Sequence, residues 1–382
     1  MWRPRYLAHS VAEDALAKRK IAFVSGPRQV GKSPLARSLL TSDVNYFLYD
    51  DGDFRRTWAK SPEDALARRE PGPIVLDEIH RLANPSELLK IGADHFPTVK
   101  IIATGSSTLS ASAKFKDTLA GRKTAIHLTP MILEDVRSFL KQDIPKRLLS
   151  GGLPPFSVQE KISGNEIQEW VDSYWAKDIQ ELFRVERRAS FMRFFELLMI
   201  QSSGIFDATR FSRDCGISHT SIHNYLAIFE ETYVATVVRP YSTHKPTEIV
   251  AAPKVYGFDT GFVSYYKEWT ALNDDNKGIL WEHLVLNEIS ARLPAKKVLY
   301  WRDKQHHEID FVIKGRETVI AIECKWKATA FDPRNMLIFR NHYPHGPNFV
   351  ITSDTHAHYR RKFKDMTVEF VGLSDAIERL SD

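Results

Sequence analysis

The 382-residue sequence has very few cysteines and no long apolar run. Its two cysteines, Cys215 and Cys324, exclude a disulfide framework and a four-cysteine zinc site, and they favour a reducing compartment. No run reaches the roughly 18 apolar residues that a membrane-spanning helix requires. The N-terminal "MWRPRYLAHS" is not followed by the apolar segment of a signal peptide. We therefore expect a cytoplasmic protein with no membrane partner.

Internal repeats, low-complexity segments and a strong excess of one charge are also absent. The net charge of +5 and the isoelectric point near 8.9 permit contact with nucleic acid without requiring it. Hydrophobic residues at 43% and charged residues at 26% are typical of folded globular domains. At roughly 150 residues per domain, a chain of this length predicts two or three domains.

Three successive patterns divide the chain. The first third alternates strand-like runs such as "IAFVSG" and "PIVLDE" with helical stretches, which predicts βαβ units around a parallel sheet. The middle third is mainly helical, with apolar residues at helical spacing. From "ILWEHLVLNEISARL" onward, a helix precedes three strand-like runs, which predicts a further α/β domain. We place the domains at residues 1–150, 151–265 and 266–382.

The segment "GPRQVGKS" matches the phosphate-binding loop G-x-x-x-x-G-K-[ST], and it lies between a strand and a helix as the motif requires. Its glycines let backbone N–H groups turn towards phosphates, and the following helix N-terminus adds partial positive charge. Lys32 should reach the β and γ phosphates of ATP, and the Ser33 hydroxyl should bind Mg²⁺. The predicted nucleotide contacts are Gly26, Pro27, Arg28, Gln29, Val30, Gly31, Lys32, Ser33 and Pro34.

Candidate catalytic residues follow the next strand-like runs. "VLDEIH" ends its strand with Asp77, which should hold Mg²⁺, and Glu78, which should polarise the attacking water. "KIIATGSST" places Thr104 or Ser106 beside the γ-phosphate, and we favour Ser106. Arg122 in "LAGRKT" is a candidate arginine finger, because a guanidinium suits the spread charge of the transition state. An ordinary surface arginine is the alternative at that position.

A helix-turn-helix is predicted within "ATRFSRDCGISHTSIHNYLAIFEETYVATVV", with a turn at Gly216 and Ser218 as the N-cap of the second helix. The apolar residues of this helix recur at helical spacing and should face inward, namely Ile222, Tyr225, Leu226 and Phe229. Its outward residues and two basic residues of the following hairpin form the candidate DNA-contacting set, namely Thr220, His223, Asn224, Arg239 and Lys245. Because the second helix has no Lys or Arg, contact with a protein partner is the alternative.

The stretch "VIAIECKWKA" carries charges inside an apolar run. Strand alternation puts Glu323 and Lys325 on one face, and the short "KGRET" predicts a hairpin with the preceding "HEIDFVI". Asp310 should then converge with these two residues, and Glu282 could approach from a packing helix. Two carboxylates suit Mg²⁺ or Mn²⁺, while a lysine can orient water or stabilise the transition state. A solvated sheet face with an ion pair is the alternative.

Eight successive blocks of the chain resemble one family, the prokaryotic AAA-type ATPases whose C-terminal part is catalogued as a domain of unknown function. The blocks are "GPRQVGKS", "VLDEIH", "ATGSS", "TLAGR", "SYWAKDIQELF", "APKVYGFDTGF", "LYWRDKQHHEIDFVI" and "AIECKW". The last two also resemble the PD-(D/E)xK signature of restriction-endonuclease-like folds. Two positions depart from the family pattern. Pro34 replaces a small polar residue, and His80 replaces a glutamine. We expect His80 at the surface at the start of the next helix, and sensing of phosphate is the alternative.

These features predict an α/β protein with an AAA-type P-loop parallel sheet, a helical winged-helix domain and a restriction-endonuclease-like domain. The leading hypothesis is an ATPase that uses ATP and Mg²⁺ and is coupled to DNA binding or processing, with Mg²⁺ or Mn²⁺ at the C-terminal site. The alternative is a regulatory ATPase switch whose nuclease-like domain is inactive and binds partners. A homo-oligomer is compatible with either hypothesis.

Overall fold

The structure, a computed structural model, describes residues 5–6, 15–40, 45–49, 66, 71–82, 84–96, 98–106, 119, 121–140, 142–159, 162–243, 252–315 and 318–381. The chain forms two compact units. Unit 1 comprises Met1–Lys141, Gly152–Arg188 and Tyr225–Val234, and unit 2 comprises Gln142–Gly151, Ala189–Asn224 and Ala235–Asp382. The three-domain division with boundaries after residues 150 and 265 stays a prediction. No helix within the described ranges is long and apolar enough to cross a membrane.

The strands form one sheet in each unit. Unit 1 has a five-stranded parallel sheet in the order β2-β3-β4-β1-β5, and unit 2 has a nine-stranded mixed sheet in the order β13-β14-β12-β11-β10-β9-β7-β8-β6. The strands are β1 (Ile21–Ser25), β2 (Tyr46–Leu48), β3 (Ile74–Asp77), β4 (Ile101–Gly105), β5 (Lys123–His127), β6 (Gly204–Ile205), β7 (Ala235–Pro240), β8 (Lys254–Gly257), β9 (Val298–Arg302), β10 (Glu308–Lys314), β11 (Val319–Lys325), β12 (Asn348–Thr352), β13 (Tyr359–Phe363) and β14 (Met366–Val371).

Helices occupy much of the remaining described chain. The α-helices are α1 (Leu16–Lys18), α2 (Lys32–Arg37), α3 (Pro85–His95), α4 (Leu133–Phe139), α5 (Ile144–Ser150), α6 (Pro154–Ser157), α7 (Gly164–Tyr174), α8 (Gln180–Leu182), α9 (Arg188–Ile200), α10 (Ala208–Cys215), α11 (His219–Glu231), α12 (Thr260–Tyr266), α13 (Asp274–Arg292), α14 (Arg334–His342) and α15 (Leu373–Ser381). A π-helical segment at Trp175–Ile179 joins α7 to α8, and 3₁₀ turns span Ile79–Arg81 and Ala328–Ala330.

The sheet of unit 1 confirms the parallel βαβ arrangement predicted from the sequence. Every residue of β1, β3 and β4 is buried, as expected for parallel strands that are covered on both faces. The register pairs Ser25 of β1 with Gly105 of β4, so these strands end side by side. Ligands of open α/β sheets bind outside the carboxyl ends of the strands, and the phosphate loop begins at this edge.

The sheet of unit 2 joins strands from the middle and the C-terminal parts of the sequence. The predicted hairpin of β10 and β11 is confirmed, since the two strands pair antiparallel with Phe311 opposite Ile322. Strand β7 pairs in parallel with β9, with Arg239 opposite Leu299, and β8 pairs with β7 and β6. Strands on both sides of residue 265 therefore belong to one continuous sheet.

Helices α10 and α11 have the expected helix-turn-helix form. Gly216 ends α10 in the left-handed conformation with φ 65°, and the Ser218 hydroxyl accepts the Ser221 N–H at 3.1 Å as an N-cap. The predicted inward residues of α11 are buried and the predicted outward residues are exposed, which confirms the assigned faces of the helix. The buried residues are Ile222, Tyr225, Leu226 and Phe229, and the exposed residues are Thr220, His223 and Asn224.

The buried Arg5 side chain ties the phosphate-loop helix to the rest of unit 1. Its guanidinium donates to the Val30 carbonyl at 2.8 Å, to the Thr129 carbonyl at 3.0 Å and to Asp135 Oδ2 at 2.8 Å. Pro34 is tolerated in α2 because the first N–H groups of a helix have no intrahelical partner. Because proline has no N–H, Pro34 cannot donate the i→i−4 hydrogen bond to the Val30 carbonyl. Arg5 donates to that carbonyl instead.

Replacing Arg5 by methionine should strongly destabilise unit 1. The Asp135 side chain is 1% exposed, so the variant would leave a buried carboxylate without its cation. Breaking a buried ion pair in this way costs about 3–5 kcal/mol of unfolding free energy, which urea denaturation at neutral pH would measure. Arg122→Met is the matched control, because the Arg122–Asp94 pair is largely exposed and should matter little. Equal stabilities of the two variants would contradict a structural role for Arg5.

Candidate functional site

The phosphate loop runs from the end of β1 to the start of α2. Gly26 has φ 154° and Gly31 has φ 102°, and a Cβ at Gly26 would lie 2.2 Å from the Leu128 carbonyl oxygen. A side chain is therefore excluded at Gly26. The buried Lys32 ammonium donates to the carbonyls of Gly26 and Pro27, each at 3.0 Å. The expected strand–loop–helix context is confirmed, and Lys32 lies inside the turn of the loop.

The acidic end of β3 lies beside this loop. Asp77 is 1% exposed, and its carboxylate accepts hydrogen bonds from the hydroxyls of Thr104 and Tyr46. Glu78 follows in the left-handed conformation with φ 56°, and its N–H donates to Thr104 Oγ1 at 3.0 Å. Burial lowers the pKa of Lys32, while the charges of Glu78 and Asp77 act against that shift. The loop lysine and the two predicted acidic residues thus share one electrostatic environment.

A buried carboxylate that the sequence analysis did not identify, Asp178, joins this cluster. It lies in the π-helical segment, and its Oδ2 is 3.4 Å from Nη1 of Arg28 in the phosphate loop. Burial raises the pKa of Asp178, whereas Arg28 and the Ser106 hydroxyl act to lower it. Asp178 also opposes the lowering of the Lys32 pKa. Single-turn π-helical insertions occur frequently at functional sites.

The sequence did contain a signal for Asp178. Helix α7 buries one stripe at helical spacing, and the carboxylate occupies the next position of that stripe, after Ile167, Trp170 and Tyr174. A carboxylate at a buried position requires a partner, and the block "SYWAKDIQELF" therefore pointed to a polar contact.

The other predicted residues of unit 1 lie in different places. Ser106 follows β4 directly and is buried close to Asp178, at the edge of the sheet that carries the phosphate loop. Arg122 precedes β5, which runs parallel to β1, so it lies at the opposite end of the sheet. Its guanidinium binds Asp94 at 2.8 and 3.0 Å. Arg122 is therefore not brought to the phosphate loop of its own chain, and its role as an arginine finger stays a prediction.

The expectation that His80 lies at the surface is wrong. His80 is 3% exposed, and its Nδ1 is 3.4 Å from Glu78 Oε2. The chain forms a 3₁₀ turn at Ile79–Arg81 before α3 begins, and this turn buries both Ile79 and His80 against the sheet. The imidazole consequently contacts the carboxylate that was predicted to polarise water.

In unit 2, the structure brings together the three residues predicted on the β10–β11 hairpin. The Lys325 ammonium lies 2.6 Å from Glu323 Oε2 and 3.6 Å from Asp310 Oδ2. The Cys324 N–H donates to Asp310 Oδ2 at 2.8 Å. The pairing of β10 with β9 shifts register between Ile309 and Val312, which places a β-bulge at residues 310–311. Bulges of this kind redirect side chains beside functional sites.

The two carboxylates of this hairpin have opposed pKa shifts. Burial and the Asp310 charge raise the pKa of Glu323 well above its usual range. Burial also disfavours the charged form of Asp310, but Lys325 and Lys254 outweigh it and lower the pKa of Asp310. Adjacent buried carboxylates cannot both ionise without a further positive charge. The Glu323 Oε1 atom is buried and has no hydrogen-bond donor within the described part of the chain. Two carboxylates with an unsatisfied oxygen fit a divalent cation.

Glu282, like Asp310 and Lys325, lines a pocket of about 440 Å³. The Glu282 carboxylate accepts hydrogen bonds from the Lys254 ammonium at 3.1 Å and from the Tyr256 hydroxyl at 2.5 Å. Across the described ranges, no three His, Cys, Asp or Glu side chains are grouped closely enough to hold a metal ion. Of the expected set of Glu282, Asp310 and Glu323, the last two form a pair and Glu282 is held separately.

The predicted DNA-contacting residues are only partly described. Thr220, His223 and Asn224 are exposed on α11, and Arg239 is exposed on β7. The His223 ring packs edge-on against Phe206 with 5.6 Å between ring centroids. Lys245 lies outside the described residues. The exposed residues of α11 include the acidic Glu230 but no Lys or Arg.

Three successive segments of the chain match known protein families. Residues 18–136 match an AAA domain, residues 141–273 match a domain of unknown function (DUF8612), and residues 277–371 match a second domain of unknown function (DUF4143). The uncharacterized proteins Mb2031c of Mycobacterium bovis and Rv2008c of Mycobacterium tuberculosis are each 24% identical over 339 residues. The match covers 84% of this chain and 74% of each relative.

Two solved structures are similar to parts of the chain. The Walker-type ATPase PABY2304 of Pyrococcus abyssi aligns with a TM-score of 0.42 and 16% identity, over 70% of this chain and 99% of the other. The RuvB Holliday junction branch migration motor of Thermotoga maritima aligns with a TM-score of 0.29 and 15% identity, over 57% of this chain and 81% of the other. From the family matches, the conclusion is that the chain carries an N-terminal AAA-type P-loop ATPase domain followed by two domains of unknown function.

Proposed function

We propose that the chain is an ATP-hydrolysing protein whose C-terminal unit hydrolyses phosphodiester bonds of DNA with the help of a divalent metal ion. The observation that carries the DNA-processing part is the convergence of Asp310, Glu323 and Lys325 beside an open pocket. An ion pair on a solvated sheet face would leave its carboxylates exposed. The Glu323 side chain is instead only 6% exposed, and its Oε1 atom is buried with no hydrogen-bond donor among the described residues.

The nucleotide half of the proposal rests on the phosphate loop and its acidic neighbours. The AAA domain suggests ATP hydrolysis and implies binding of ATP with Mg²⁺. Lys32 would contact the β and γ phosphates, Ser33 and Asp77 would hold Mg²⁺, and Glu78 would orient the attacking water. Thr104 fixes the geometry of both acidic residues, because its hydroxyl bonds the Asp77 carboxylate and accepts the Glu78 N–H.

The phosphodiesterase half rests on the hairpin pair. Asp310 and Glu323 would hold Mg²⁺ or Mn²⁺, which supplies Lewis acidity and lowers the pKa of bound water. Lys325 contacts both carboxylates and also lines the pocket, where its ammonium can orient a water molecule or stabilise negative charge on the phosphate. The Cys324 N–H fixes Asp310 from the neighbouring strand, so the carboxylate has one orientation.

The DNA-binding part of the proposal is a winged helix formed by α9, β6, α10, α11, β7 and β8. The strand order β6-β8-β7 and the exposed face of α11 support it. The second candidate function is a regulatory ATPase in which this surface binds a protein. It is favoured by one observation, namely that α11 has no Lys or Arg to contact phosphates.

A cleavage assay distinguishes the two candidate functions. Duplex, single-stranded and branched DNA would be incubated with the protein and Mg²⁺ or Mn²⁺, with and without ATP. We expect metal-dependent cleavage that EDTA abolishes and that the Asp310→Asn variant lacks. If wild-type protein and Asp310→Asn both leave every substrate intact while ATP is hydrolysed, the regulatory function is the better description.

A further inference from the structure

The chain just after α11 contacts the residue that precedes the phosphate loop. The Tyr233 hydroxyl lies 2.7 Å from the Ser25 hydroxyl, and Ser25 is the last residue of β1, directly before Gly26. The Ser25 hydroxyl donates to the Ile126 carbonyl at 3.3 Å, so Tyr233 is the donor in its bond with Ser25. This bond joins the end of α11 to the start of the nucleotide site.

Tyr233 occupies a backbone position at which glycine is the usual residue. It has φ 60°, and the N–H groups of Tyr233 and Val234 donate to the Glu230 and Phe229 carbonyls at 3.1 and 2.8 Å. This pattern is a Schellman motif, whose left-handed residue is most often glycine. Helix α10 ends in the same way with Gly216 at that position. A tyrosine in this conformation is strained, so surrounding contacts must hold it there.

The contacts of the Tyr233 ring also lead to the nucleotide site. The ring stacks on His127 of β5, with 4.3 Å between the ring centroids and 28° between the ring planes. Burial and the nearby charge of Lys32 lower the pKa of His127 to about 4, so the imidazole beneath Tyr233 is uncharged at neutral pH. The ring and the hydroxyl of Tyr233 therefore contact two adjacent strands of the sheet that carries the phosphate loop.

Thr232, the preceding residue, reaches the other side of the same loop. Its hydroxyl lies 2.7 Å from the Tyr174 hydroxyl, and the Tyr174 ring stacks on Trp170 at 5.4 Å between ring centroids. The Trp170 indole N–H donates to the Arg28 carbonyl at 3.4 Å, and the Arg28 guanidinium is 3.4 Å from Asp178. Two consecutive residues at the end of α11 are thus connected to both the start and the middle of the phosphate loop.

The start of this loop is where contacts must change when a phosphate binds. The Lys32 ammonium donates to the carbonyls of Gly26 and Pro27, and it is also the cation that would reach the β and γ phosphates. When the ammonium turns to a phosphate, these carbonyls lose a donor and the loop depends more on its remaining contacts. The Tyr233–Ser25 bond is one of those contacts.

We propose that Tyr233 is a positioning residue of the nucleotide site, which holds the start of the phosphate loop for ATP and links occupancy of the loop to the last turn of α11. The inference rests on the nucleotide half of the proposed function and adds a means of regulation to it. Helix α11 is uninterrupted from His219 to Glu231 and carries the candidate partner-contacting residues Thr220, His223 and Asn224. The contact would therefore connect the ATP site with that helix.

Equilibrium binding of a fluorescent ATP analogue tests the contact at the level of one oxygen atom. Tyr233→Phe keeps the ring on His127 but removes the hydroxyl, and Ser25→Ala removes its partner. Each change should raise the Kd by about two- to tenfold, the range for one hydrogen bond. The double variant should show no further increase, because both changes remove the same bond. Tyr300→Phe, whose lost hydroxyl bonds the Ala252 carbonyl in unit 2, is the matched control and should bind like the wild type.

Amide hydrogen exchange tests the link to α11. In the wild type, a saturating non-hydrolysable ATP analogue with Mg²⁺ should slow exchange of the amides of residues 225–234 several-fold relative to the nucleotide-free protein. In Tyr233→Phe, at a concentration that saturates the variant, this nucleotide-dependent difference should be lost. A purely structural hydroxyl would instead change protection equally with and without nucleotide. Circular dichroism verifies that each variant is folded.

The outcomes separate this inference from the proposed function. If folded Tyr233→Phe binds the analogue as tightly as the wild type, or if its effect adds to that of Ser25→Ala, the positioning role is refuted and the nucleotide site stands. If Tyr233→Phe keeps the wild-type response of α11 to nucleotide, the link to the helix is refuted. A wild type that binds no nucleotide overturns both the inference and the nucleotide half of the proposed function.

Discussion

Replacing Lys32 by alanine should abolish ATP hydrolysis and weaken ATP binding. The Lys32 ammonium lies inside the loop turn and is the cation placed to contact the β and γ phosphates. Its charge also balances a buried acidic environment, since Glu78, Asp178 and Asp77 all act on it. Removing it leaves negative groups facing a negative ligand. Phosphate release at saturating ATP and binding of a fluorescent ATP analogue would measure the two effects.

The contrast with Glu78→Gln makes this test specific for the phosphate loop. That variant should still bind ATP and hydrolyse it slowly, because Asp77 keeps its hydroxyl contacts with Thr104 and Tyr46. The amide of glutamine cannot accept a proton from water. Wild-type hydrolysis by Lys32→Ala would refute the assigned site, and equal loss of ATP binding in both variants would show that Glu78 is structural.

Replacing Glu323 by alanine should abolish the proposed metal-dependent DNA cleavage and leave ATP hydrolysis at the wild-type rate. The change removes one of two carboxylates that would hold the ion and leaves Lys325 paired with Asp310 at 3.6 Å, where the ammonium competes for the remaining ligand. ATP hydrolysis should persist because the phosphate loop belongs to unit 1 with its own acidic residues. Gel assays of DNA cleavage with Mn²⁺, run beside phosphate-release assays on the same preparation, would measure both activities.

A matched control is available on the same sheet. Glu369 lies on β14 and its carboxylate pairs with Arg360 and Arg379 at 3.0 and 3.2 Å, away from the hairpin pair. Glu369→Ala removes an equal charge and should cleave DNA like the wild type. If Glu323→Ala cleaves DNA as well as Glu369→Ala does, the hairpin is not a catalytic site. Glu323→Gln, which keeps the side-chain volume, should also be inactive.

Local sequence patterns predicted the parts of the molecule that depend on local physics. The phosphate loop, the β10–β11 hairpin and the faces of α11 follow from glycine placement, strand alternation and helical spacing, and the structure has each of them. The proximity of Glu323 and Asp310 could be predicted from the sequence for the same reason, because a short turn fixes the register of a hairpin.

The residues that were missed all act through contacts distant in sequence. Arg5 binds Asp135 across 130 positions, and Arg28 meets Asp178 across 150. Lys254 on β8 contacts Glu282 and Glu308. Strand β8 pairs with β7, and β7 pairs on its other side with the parallel strand β9. A single sequence contains no rule that fixes such pairings, although a charge within an apolar run, as in "APKVYGF" or "SYWAKDI", shows that a partner must exist.

The continuity of the nine-stranded sheet also determines how the C-terminal part can be studied in isolation. A fragment that begins at residue 266, as the sequence boundaries suggest, would lack β7 and β8 and expose β9 as an open edge. Unpaired edge strands invite pairing with other chains, so such a fragment is prone to aggregate. It would also lack Lys254. Recombinant dissection that respects the sheet should keep β6, β7 and β8 together with β9–β14, even though the first three strands lie in the segment that matches one domain of unknown function and the others lie in the segment that matches the second.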